Sequence, residues 1–480
     1  MREKNYIAEL LGGFVGDKEN RAAFSVFDGI QIQDITYVQF AQDALRAAGA
    51  LKREQIMNKH IALIFHNTYE WMVSFFAIAA SGNVVVPLNP ELPAETLRHQ
   101  LEKADVSVIC GEESVMAELK PDVENRRVCS WARDENAAPI SLEEIYKPDQ
   151  NDTTILMFTS GTTGKSKAAE LTYENMLCSI SGSESVFTIP GVDRITTVLP
   201  WYHIAGLRGT LAMLYRYKTL CIGRGSRYLL EDMSVLKPSY AQLVPMIVES
   251  IVKILKRACT KEERQKVLGG RLKRICVGGA GSNPAACRYL LEQGFVIDGG
   301  YAMTETTGVG TWGEWDEAHF NTIGKLSEQL QYCIRDGELL LKGPAVMKGY
   351  YRDPEATAEV LEDGWLHTGD LVVCDGEGYF YLTGRKKNVI ILANGQNISP
   401  EEIEEIFCGC YAIKECLVYH DGKRICADVY TNNREAAEDY IRIYNEKMPL
   451  YHQVPKVNYS DVPLEKTGSG KIKRRGVNHG

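Results

Sequence analysis

Residues Ile61–Cys110 contain three apolar runs, IALIF (61–65), NVVVPL (83–88) and VSVIC (106–110), which are separated by two stretches of helical length. Short runs rich in Val and Ile and bounded by turn residues are typical of buried β-strands. Strands that alternate with helices along a chain form a parallel sheet that is covered by helices. This stretch therefore predicts an α/β fold.

The same alternation continues toward the C-terminus and predicts a second α/β layer. Further strands are predicted at TILMF (154–158), ITTVLP (195–200), TLCIG (219–223), YAQLV (240–244), RICVGG (274–279) and FVIDG (295–299). After about Asn321 the pattern changes to short strands joined by Gly and Asp turns, which is typical of a small, mostly antiparallel β unit.

The chain of 480 residues is long enough for several domains. The charged run GRKKN (384–388) is the best linker candidate, so we place a domain boundary at about Lys387. The expected organisation is an N-terminal domain, 1–386, with α/β subdomains to about 320 and a β subdomain at about 321–386. A small α+β domain, 387–480, follows it. There Ser399 is predicted as an N-cap, with Pro400 in the first helical position and Glu402 completing a capping box.

The composition excludes several classes of function. A formal net charge of −9 disfavours nucleic-acid binding, and KIKRR (471–475) is the only basic run. No membrane span is predicted, because WMVSFFAIAASGNVVVPL (71–88) is broken by Ser, Gly and Asn. No secretory signal is recognised at the N-terminus.

The cysteines indicate a reducing, cytoplasmic location, since they are thirteen in number and follow no regular framework. One group could suggest zinc: Cys408, Cys410, Cys416 and Cys426. Its spacing does not match paired C-x-x-C sites, and Cys416 lies in an apolar run. We favour buried small side chains.

The loop TSGTTGKSK, Thr159–Lys167, follows a predicted strand and contains Gly-Lys-Ser. It is not a Walker P-loop, because Thr159 stands where that pattern requires glycine. Its two glycines and five hydroxyl side chains can still present several donors to an anion. A phosphate-binding loop of another kind and an ordinary polar turn both remain open at this point.

Five further stretches accompany this loop: LPWYHIAGL (199–207), GGAGS (278–282), GGYAMTETTG (299–308), WLHTGDL (365–371) with GRKKN, and LEKTGSGKIKRR (464–475). In this order and spacing the six resemble the adenylate-forming (ANL) superfamily of acyl-CoA synthetases, aryl-CoA ligases, luciferases and peptide-synthetase adenylation domains. The resemblance implies that ATP and magnesium activate a carboxylic acid as acyl-AMP with release of pyrophosphate. The acyl group then passes to a thiol.

The resemblance also implies roles for particular residues. The β- and γ-phosphates would be bound by Ser160, Gly161, Thr162, Thr163 and Gly164, with positive charge from Lys167. Magnesium would be held by Thr159 and Glu305, and the catalytic cation would be Lys471. The nucleoside would lie against Gly279, Ala280, Gly281, Gly300 and Tyr301, with Thr304 on the α-phosphate and both Asp370 and Arg385 on the ribose.

The C-terminal domain of this superfamily is mobile and adopts two orientations. The resemblance places the pivot at Lys387 and the pantetheine path beside Gly395 of ANGQN (393–397). It also places His203 at the carboxylate end of the acyl pocket, whose walls would include GLRGTL (206–211) and TGVGTWG (307–313). Three residues depart from the usual pattern, with Ser166 in place of Pro and both Ala168 and Ala302 in place of Gly. These departures concern rate and substrate fit.

The sequence does not identify the thiol acceptor or the carboxylic acid. Coenzyme A is the expected acceptor, and a separate carrier protein is the alternative. The Phe-Asp pair typical of amino-acid adenylation is absent around His203, which favours an acid without an α-amino group. A P-loop ATPase is the alternative from another class, and Thr159 disfavours it.

Overall fold

In the computed structural model two large β-sheets and two small ones form the framework of the chain. The structure describes residues 6–119, 127–128, 134, 136–159, 166–182, 191–257, 260, 263, 266–278, 284–391, 397–466 and 472–474. The α/β class predicted from the sequence is confirmed.

The first large sheet has seven strands and is built around the region 61–110. In spatial order its strands are Gly349–Tyr350, Lys167–Thr172, Thr153–Thr159, Val84–Pro87, His60–Ile64, Val108–Gly111 and Arg127–Val128. The five strands from Thr153–Thr159 onward are parallel, and the other two are antiparallel. Ile61 and Leu63 pack into the core on one face, whereas Ala62 and Ile64 pack into another core on the opposite face. Both faces are therefore buried, as in other parallel sheets.

The second large sheet has fourteen strands and contains the remaining predicted α/β strands. In spatial order they are Gln331–Arg335, Glu338–Lys342, Trp365–Cys374, Tyr379–Arg385, Gly324–Leu326, Gly310–Glu314, Val296–Ala302, Arg274–Val277, Tyr240–Leu243, Arg194–Thr197, Thr219–Ile222, Ala22–Phe27 and Ile32–Thr36, with Leu361–Glu362 beside Trp365–Cys374. The strands from Val296–Ala302 to Ala22–Phe27 are parallel.

The strands between Asn321 and Arg385 pair antiparallel, as the sequence predicts, but they form no sheet of their own. Gly324–Leu326 pairs with Gly310–Glu314 on one side and with Tyr379–Arg385 on the other. The β unit thus extends the second α/β sheet, and its long strand Trp365–Cys374 lies in one continuous hydrogen-bonded surface with Val296–Ala302.

Thirteen α-helices cover the sheets in the part of the chain that is described. They are Tyr6–Val15, Tyr37–Arg53, Tyr69–Ala80, Ala94–Lys103, Glu113–Glu118, Tyr173–Ser181, Ile204–Tyr215, Leu229–Leu236, Pro245–Leu255, Pro284–Glu292, Pro354–Ala358, Pro400–Cys408 and Arg434–Lys447. Local sequence fixes several starts, because Thr36, Thr68 and Thr172 each accept a bond from the third backbone N–H of the following helix.

The C-terminal segment has its own small sheets and core. Ile413–His420, Ile425–Thr431 and Lys456–Ser460 form one sheet, and Ile390–Ile391 pairs with Asn397–Ile398 in another. The buried residues of this core all lie between Ile390 and Val454. One contact with the preceding part is a hydrogen bond from Asn321 Nδ2 to Glu405 Oε1 at 2.6 Å.

The predicted start of the helix Pro400–Cys408 is correct, but its capping box is wrong. Ser399 is the N-cap and Pro400 holds the first position, yet no side-chain cap bond forms. The Ser399 hydroxyl instead donates to the Thr383 carbonyl at 2.6 Å. A tertiary partner therefore replaces the local one.

Two findings concern only the ranges of residues that the structure describes. Within those ranges no cluster of three or more His, Cys, Asp or Glu side chains could hold a metal ion, the cysteines 408, 410, 416 and 426 included. Among the helices described, none is long and apolar enough to cross a membrane.

Candidate active site

The loop that begins at Thr159 joins two antiparallel strands. Thr159 and Lys167 are cross-strand partners, and the Thr159 hydroxyl donates to the Lys167 carbonyl at 3.4 Å. A P-loop, in contrast, connects a strand to a helix. The topology thus excludes a Walker P-loop independently of Thr159. The predicted phosphate contacts Ser160, Gly161, Thr162, Thr163 and Gly164 lie outside the described residues.

Lys167 lies at the end of its strand with its ammonium group against a tyrosine. Its Nζ is 4.9 Å from the centre of the Tyr350 ring and 3.6 Å from Glu359 Oε2. The neighbouring strand Gly349–Tyr350 pairs with Lys167–Thr172, which brings Tyr350 to this position. The lysine can thus hold positive charge near the base of the loop.

Glu305 is held in place by the same tyrosine. The Tyr350 hydroxyl donates to Glu305 Oε1 at 2.7 Å, and the Glu305 carbonyl accepts from the Met347 amide at 2.8 Å. Burial, reinforced by the Glu305 carboxylate, raises the pKa of Tyr350 well above its ordinary value, so the phenol stays a donor. Tyr350 was not identified from the sequence, and only its place in KGYY, after two predicted strands, could have suggested it.

Thr304 and Glu305 begin a short 3₁₀ turn, Thr304–Thr306, directly after the strand Val296–Ala302. The turn ends at Thr307, which adopts a left-handed conformation with φ of 52°. The Thr307 hydroxyl donates to the Ala345 carbonyl at 2.8 Å. This bond fixes the turn against the segment that precedes Tyr350.

Tyr301, Asp370 and Arg385 form one hydrogen-bonded cluster. The Tyr301 hydroxyl donates to Asp370 Oδ2 at 2.7 Å, and Arg385 Nε lies 2.6 Å from Asp370 Oδ1. Asp370 and Arg385 are cross-strand partners, so antiparallel pairing places them side by side. Burial and the adjacent Asp370 carboxylate raise the pKa of Tyr301. The sequence placed Asp370 and Arg385 on the same ribose and Tyr301 on the adenine, and the structure adds the direct contacts of Asp370 with both other residues.

A buried ion pair supports the strand that carries Gly300 and Tyr301. Arg274 lies 2.5 Å from Asp298 Oδ1 and 2.6 Å from Glu314 Oε1, so it connects three adjacent strands. Burial raises the pKa of Asp298 to about 7, although Arg274 opposes this shift. Gly300 lies opposite Trp312 on the next strand. The predicted purine contacts Gly279, Ala280 and Gly281 lie outside the described residues.

His203 precedes the helix Ile204–Tyr215 and occupies its N-cap position. Its backbone amide donates to the Pro200 carbonyl at 3.1 Å, and its ring centre is 4.9 Å from that of Tyr202. His203 lines the cleft that is described below, and it lies at the start of the helix that carries GLRGTL.

Lys387 lies in a one-turn 3₁₀ helix, Lys386–Asn388. Its two neighbours are attached to different parts of the chain. Lys386 Nζ is 2.8 Å from Glu338 Oε2 in the large sheet, and Asn388 Nδ2 donates to Glu401 Oε1 at 2.5 Å in the C-terminal helix. Burial opposes ionisation of Glu338, but its bonds to Lys386, Gly369 and His367 outweigh this and lower its pKa. Gly395 lies outside the described residues.

Lys471 also lies outside the described residues, but both flanks of its loop are described. Lys466 and Ile472 form an antiparallel bridge, which closes the base of the loop. Arg474 lies 2.6 Å from Glu404 and 3.1 Å from Glu401, and it donates to the Val418 carbonyl at 3.2 Å. Arg474, three residues after Lys471, is therefore fixed to the C-terminal core.

A single cleft of about 4000 Å³ connects these parts. It is lined by all the described candidate residues: Thr159, Lys167, His203, Gly300, Tyr301, Thr304, Glu305, Asp370, Arg385 and Lys387. Lys466, Ile472 and Arg474 line it from the C-terminal side. The cleft therefore offers tyrosine, carboxylate and guanidinium groups from Tyr301, Asp370 and Arg385, and it also offers the lysine and carboxylate of Lys167 and Glu305.

Three comparisons relate the chain to known proteins. It is 26% identical to the long-chain-fatty-acid–CoA ligase FadD15 of Mycobacterium bovis, over 86% of this chain and 80% of that protein. It is 27% identical to the 2-succinylbenzoate–CoA ligase of Bacillus mycoides, over 93% and 94% respectively. A solved structure of O-succinylbenzoate coenzyme A synthetase (MenE) from Bacillus subtilis, in complex with ATP and magnesium ion, superposes with a TM-score of 0.83 at 24% identity, covering 97% and 98%.

The family model described as AMP-binding enzyme matches residues 15–351 of the 480. This range includes the strand-loop-strand segment at Thr159, the helix that follows His203 and the turn at Glu305. The match covers well over half of the chain, and the fold of the whole chain agrees with it. The protein belongs to the family of AMP-binding enzymes.

Proposed function

We propose that this enzyme activates a carboxylic acid with ATP to an acyl adenylate and then transfers the acyl group to coenzyme A. The observation that carries the proposal is the Tyr301–Asp370–Arg385 cluster, which lies in one cleft with Lys167 and Glu305. The cluster suits a ribose and a purine, and the second group suits polyphosphate and a cation. The CoA ligases among its relatives support the same reaction class.

The donor set fits magnesium. Mg²⁺ prefers oxygen ligands and usually takes only one or two carboxylates, completing its shell with water and phosphate oxygens. Glu305 has one oxygen bound by Tyr350, and Thr159 supplies a hydroxyl in the same cleft. Bound there, magnesium would neutralise charge on the phosphates. No larger cluster of protein ligands is needed.

Different residues of this chain can bind the ribose, the phosphates and the carboxylate in the first half-reaction. Asp370 accepts from the ribose hydroxyls while Arg385 holds that carboxylate in position. Lys167 offsets charge on the β- and γ-phosphates, and Thr304 donates to the α-phosphate. Lys471 then bridges the attacking carboxylate and the α-phosphate, where negative charge accumulates. The carboxylate oxygen bonds to phosphorus as pyrophosphate leaves.

For the second half-reaction we propose that residues 387–480 form a mobile domain that pivots at Lys387. Its separate core, from Ile390 to Val454, supports this boundary. In the second orientation the pantetheine arm would pass beside Gly395. The thiol then attacks the acyl carbon, and AMP leaves. A reducing, cytoplasmic setting suits this chemistry, and none of the eleven cysteines that the structure describes is in a disulfide.

The proposal is tested by incubating the enzyme with ATP, magnesium, coenzyme A and a panel of carboxylic acids. Pyrophosphate release should depend on the acid, and an acyl-CoA of the matching mass should appear. A pantetheine-loaded carrier protein replaces coenzyme A in a parallel series, which identifies the acceptor. Release of inorganic phosphate, or ATP turnover that is independent of every acid, would contradict the ligase assignment.

Glu305→Gln should shift the magnesium requirement. The substitution keeps the shape of the side chain but removes its charge. The magnesium concentration that gives half-maximal pyrophosphate release should therefore rise roughly tenfold or more. Magnesium titrations of the rate measure this shift. Glu328→Gln removes another carboxylate that lines the cleft and serves as the matched control. An unchanged titration for Glu305→Gln would place the metal elsewhere.

A further inference from the structure

Lys103 ends the helix Ala94–Lys103 and reaches the start of the strand that carries Lys167. Its ammonium group donates to the Ser166 carbonyl at 3.0 Å and lies 3.8 Å from Asp353 Oδ2. Ser166 directly precedes Lys167, and only 23% of the Lys103 side chain is exposed. One half-buried cation therefore joins two segments that lie far apart in the sequence.

The short helix Pro354–Ala358 connects Lys103 with Lys167 by a second route. Asp353 is the N-cap of this helix, and its Oδ1 accepts a backbone N–H of the first turn at 3.2 Å. Glu359 is the C-cap at the other end, and its Oε2 lies 3.6 Å from Lys167 Nζ. One end of the helix is thus tied to Lys103, and the other end pairs with Lys167.

Tyr350 is attached to the same helix. Its backbone amide donates to the Thr357 hydroxyl at 2.9 Å, and that hydroxyl donates to the Asp353 carbonyl at 2.8 Å. The Tyr350 ring is the one beside Lys167 Nζ. Lys103 does not line the cleft itself, whereas Lys167 and Tyr350 both do. Any effect of Lys103 on a ligand in the cleft must therefore pass through other residues.

The bond to Ser166 has a specific use at this position. The usual adenylate-forming pattern has proline here, which fixes φ near −65°, whereas serine leaves that angle free to rotate. A lysine in the last turn of a helix also interacts favourably with the helix dipole, but that effect needs only a charge near the terminus. The bond from Lys103 to the Ser166 carbonyl additionally fixes the direction in which the chain enters the strand of Lys167.

We propose that Lys103 is a positioning residue for ATP: it holds Ser166 and the helix Pro354–Ala358 so that Lys167 meets the β- and γ-phosphates. This inference rests on the proposed ligase function, in which Lys167 offsets the charge of those phosphates. Lys103 itself contacts no substrate atom. Because Lys167 is already held in place, its side chain has less freedom to lose when a phosphate binds, which raises the affinity for ATP.

The experiment measures the dissociation constants of ATP with magnesium and of AMP by isothermal titration calorimetry, for the wild-type enzyme and for Lys103→Met. Methionine keeps an unbranched apolar stem but removes the charged donor. The Kd for ATP should rise roughly tenfold, which corresponds to the loss of one hydrogen bond from a charged group. The Kd for AMP should stay unchanged, because AMP lacks the two phosphates that Lys167 meets. In turnover, KM for ATP should rise while kcat and KM for the acid change little.

Two control variants separate this role from ordinary stabilisation. Arg352 lies 2.9 Å from Asp105, and this exposed ion pair joins the same two segments as the pair between Lys103 and Asp353. Arg352→Met removes an equal charge there and should leave the Kd for ATP unchanged. Lys103→Arg keeps a charged donor at the end of the helix, so it should retain most of the affinity for ATP.

A double-mutant cycle with Lys167→Met tests whether Lys103 acts through Lys167. In the Lys167→Met background, Lys103→Met should raise the Kd for ATP by less than about twofold, because the group that it positions is already gone. The full tenfold rise in that background would overturn the proposal. An ATP affinity that is unchanged by Lys167→Met alone would overturn it as well.

The remaining outcomes bear on separate conclusions. An unchanged Kd for ATP in Lys103→Met, or an equal weakening of ATP and AMP, would overturn the role of Lys103 and leave the ligase assignment intact. Absence of pyrophosphate release by the wild-type enzyme with every acid would overturn the ligase assignment itself. If Lys103→Met fails to fold, Asp353→Asn decides, because asparagine keeps the N-cap bond but removes the ion pair with Lys103. It should then weaken ATP binding and spare AMP binding.

Discussion

Replacing Lys471 with alanine is expected to lower acyl-AMP formation by about 10²-fold or more while transfer from supplied acyl-AMP to the thiol persists. The expectation follows from charge. A carboxylate must approach an α-phosphate that is itself negative, and a lysine that bridges the two acts only in that step. Pyrophosphate release measures the first half-reaction, and thioester formation from synthetic acyl-AMP measures the second.

The structure supplies a matched control for this substitution. Lys473 lies two residues away and pairs with the exposed Glu465, so Lys473→Ala removes an equal charge from the same segment. It should leave both half-reactions at their wild-type rates. Arg474 holds this segment to Glu404, and it is kept in both variants. Pyrophosphate release at a near wild-type rate by Lys471→Ala would exclude the lysine as the catalytic cation.

Lys387→Pro is expected to have the opposite effect to Lys471→Ala: the first half-reaction should persist and the second should be lost. Proline fixes φ near −65°, a value compatible with the 3₁₀ turn that Lys387 occupies. In this orientation Lys466 and Ile472 line the cleft together with Asp370. Acyl-AMP formation should therefore continue, whereas transfer to the thiol should fall roughly 10²-fold, because the second orientation is blocked.

Two further variants test the cause of this effect. Lys387→Ala removes the side chain but leaves the backbone free, so it should retain both half-reactions. Gly395→Leu should obstruct the pantetheine path and spare the first step, giving a burst of pyrophosphate with little thioester. If Lys387→Pro and Gly395→Leu instead lose both steps together, with circular dichroism unchanged, the enzyme does not alternate between two orientations.

The strands of this fold could be predicted well because each is a local pattern. Apolar runs bounded by turn residues identify most strands of both α/β layers, although Ala22–Phe27 was not predicted. The parallel pairing of the predicted strands follows from the intervening helices. Partners far apart in sequence could not be predicted. The strand Lys167–Thr172, which is antiparallel to Thr153–Thr159, has no strong apolar run of its own. The extension of the large sheet by the β unit likewise depends on pairing between distant segments.

In the site, too, residues within local motifs could be predicted, whereas contacts between residues far apart in sequence could not. Motifs located Tyr301, Glu305, Asp370 and Arg385, because each lies in a short distinctive stretch. Their mutual contacts depend on strand register, which sequence patterns do not fix. Tyr350 was missed because it reaches Glu305 across 45 positions of the chain. The family prediction is confirmed by the match to AMP-binding enzymes, and the individual roles stay predictions.

The attachments on either side of Lys387 have a mechanical consequence. Lys386 is tied to Glu338 and Asn388 to Glu401, so the chain between these anchors has only a few rotatable backbone bonds. A connection this short costs little chain entropy, and it restricts the positions that the C-terminal part can take relative to the rest of the chain. Rotation about it should carry residues 387–480 as a unit along a narrow arc. Distances between labels on the two parts should accordingly fall into discrete populations, whereas a flexible tether would give a broad, continuous distribution.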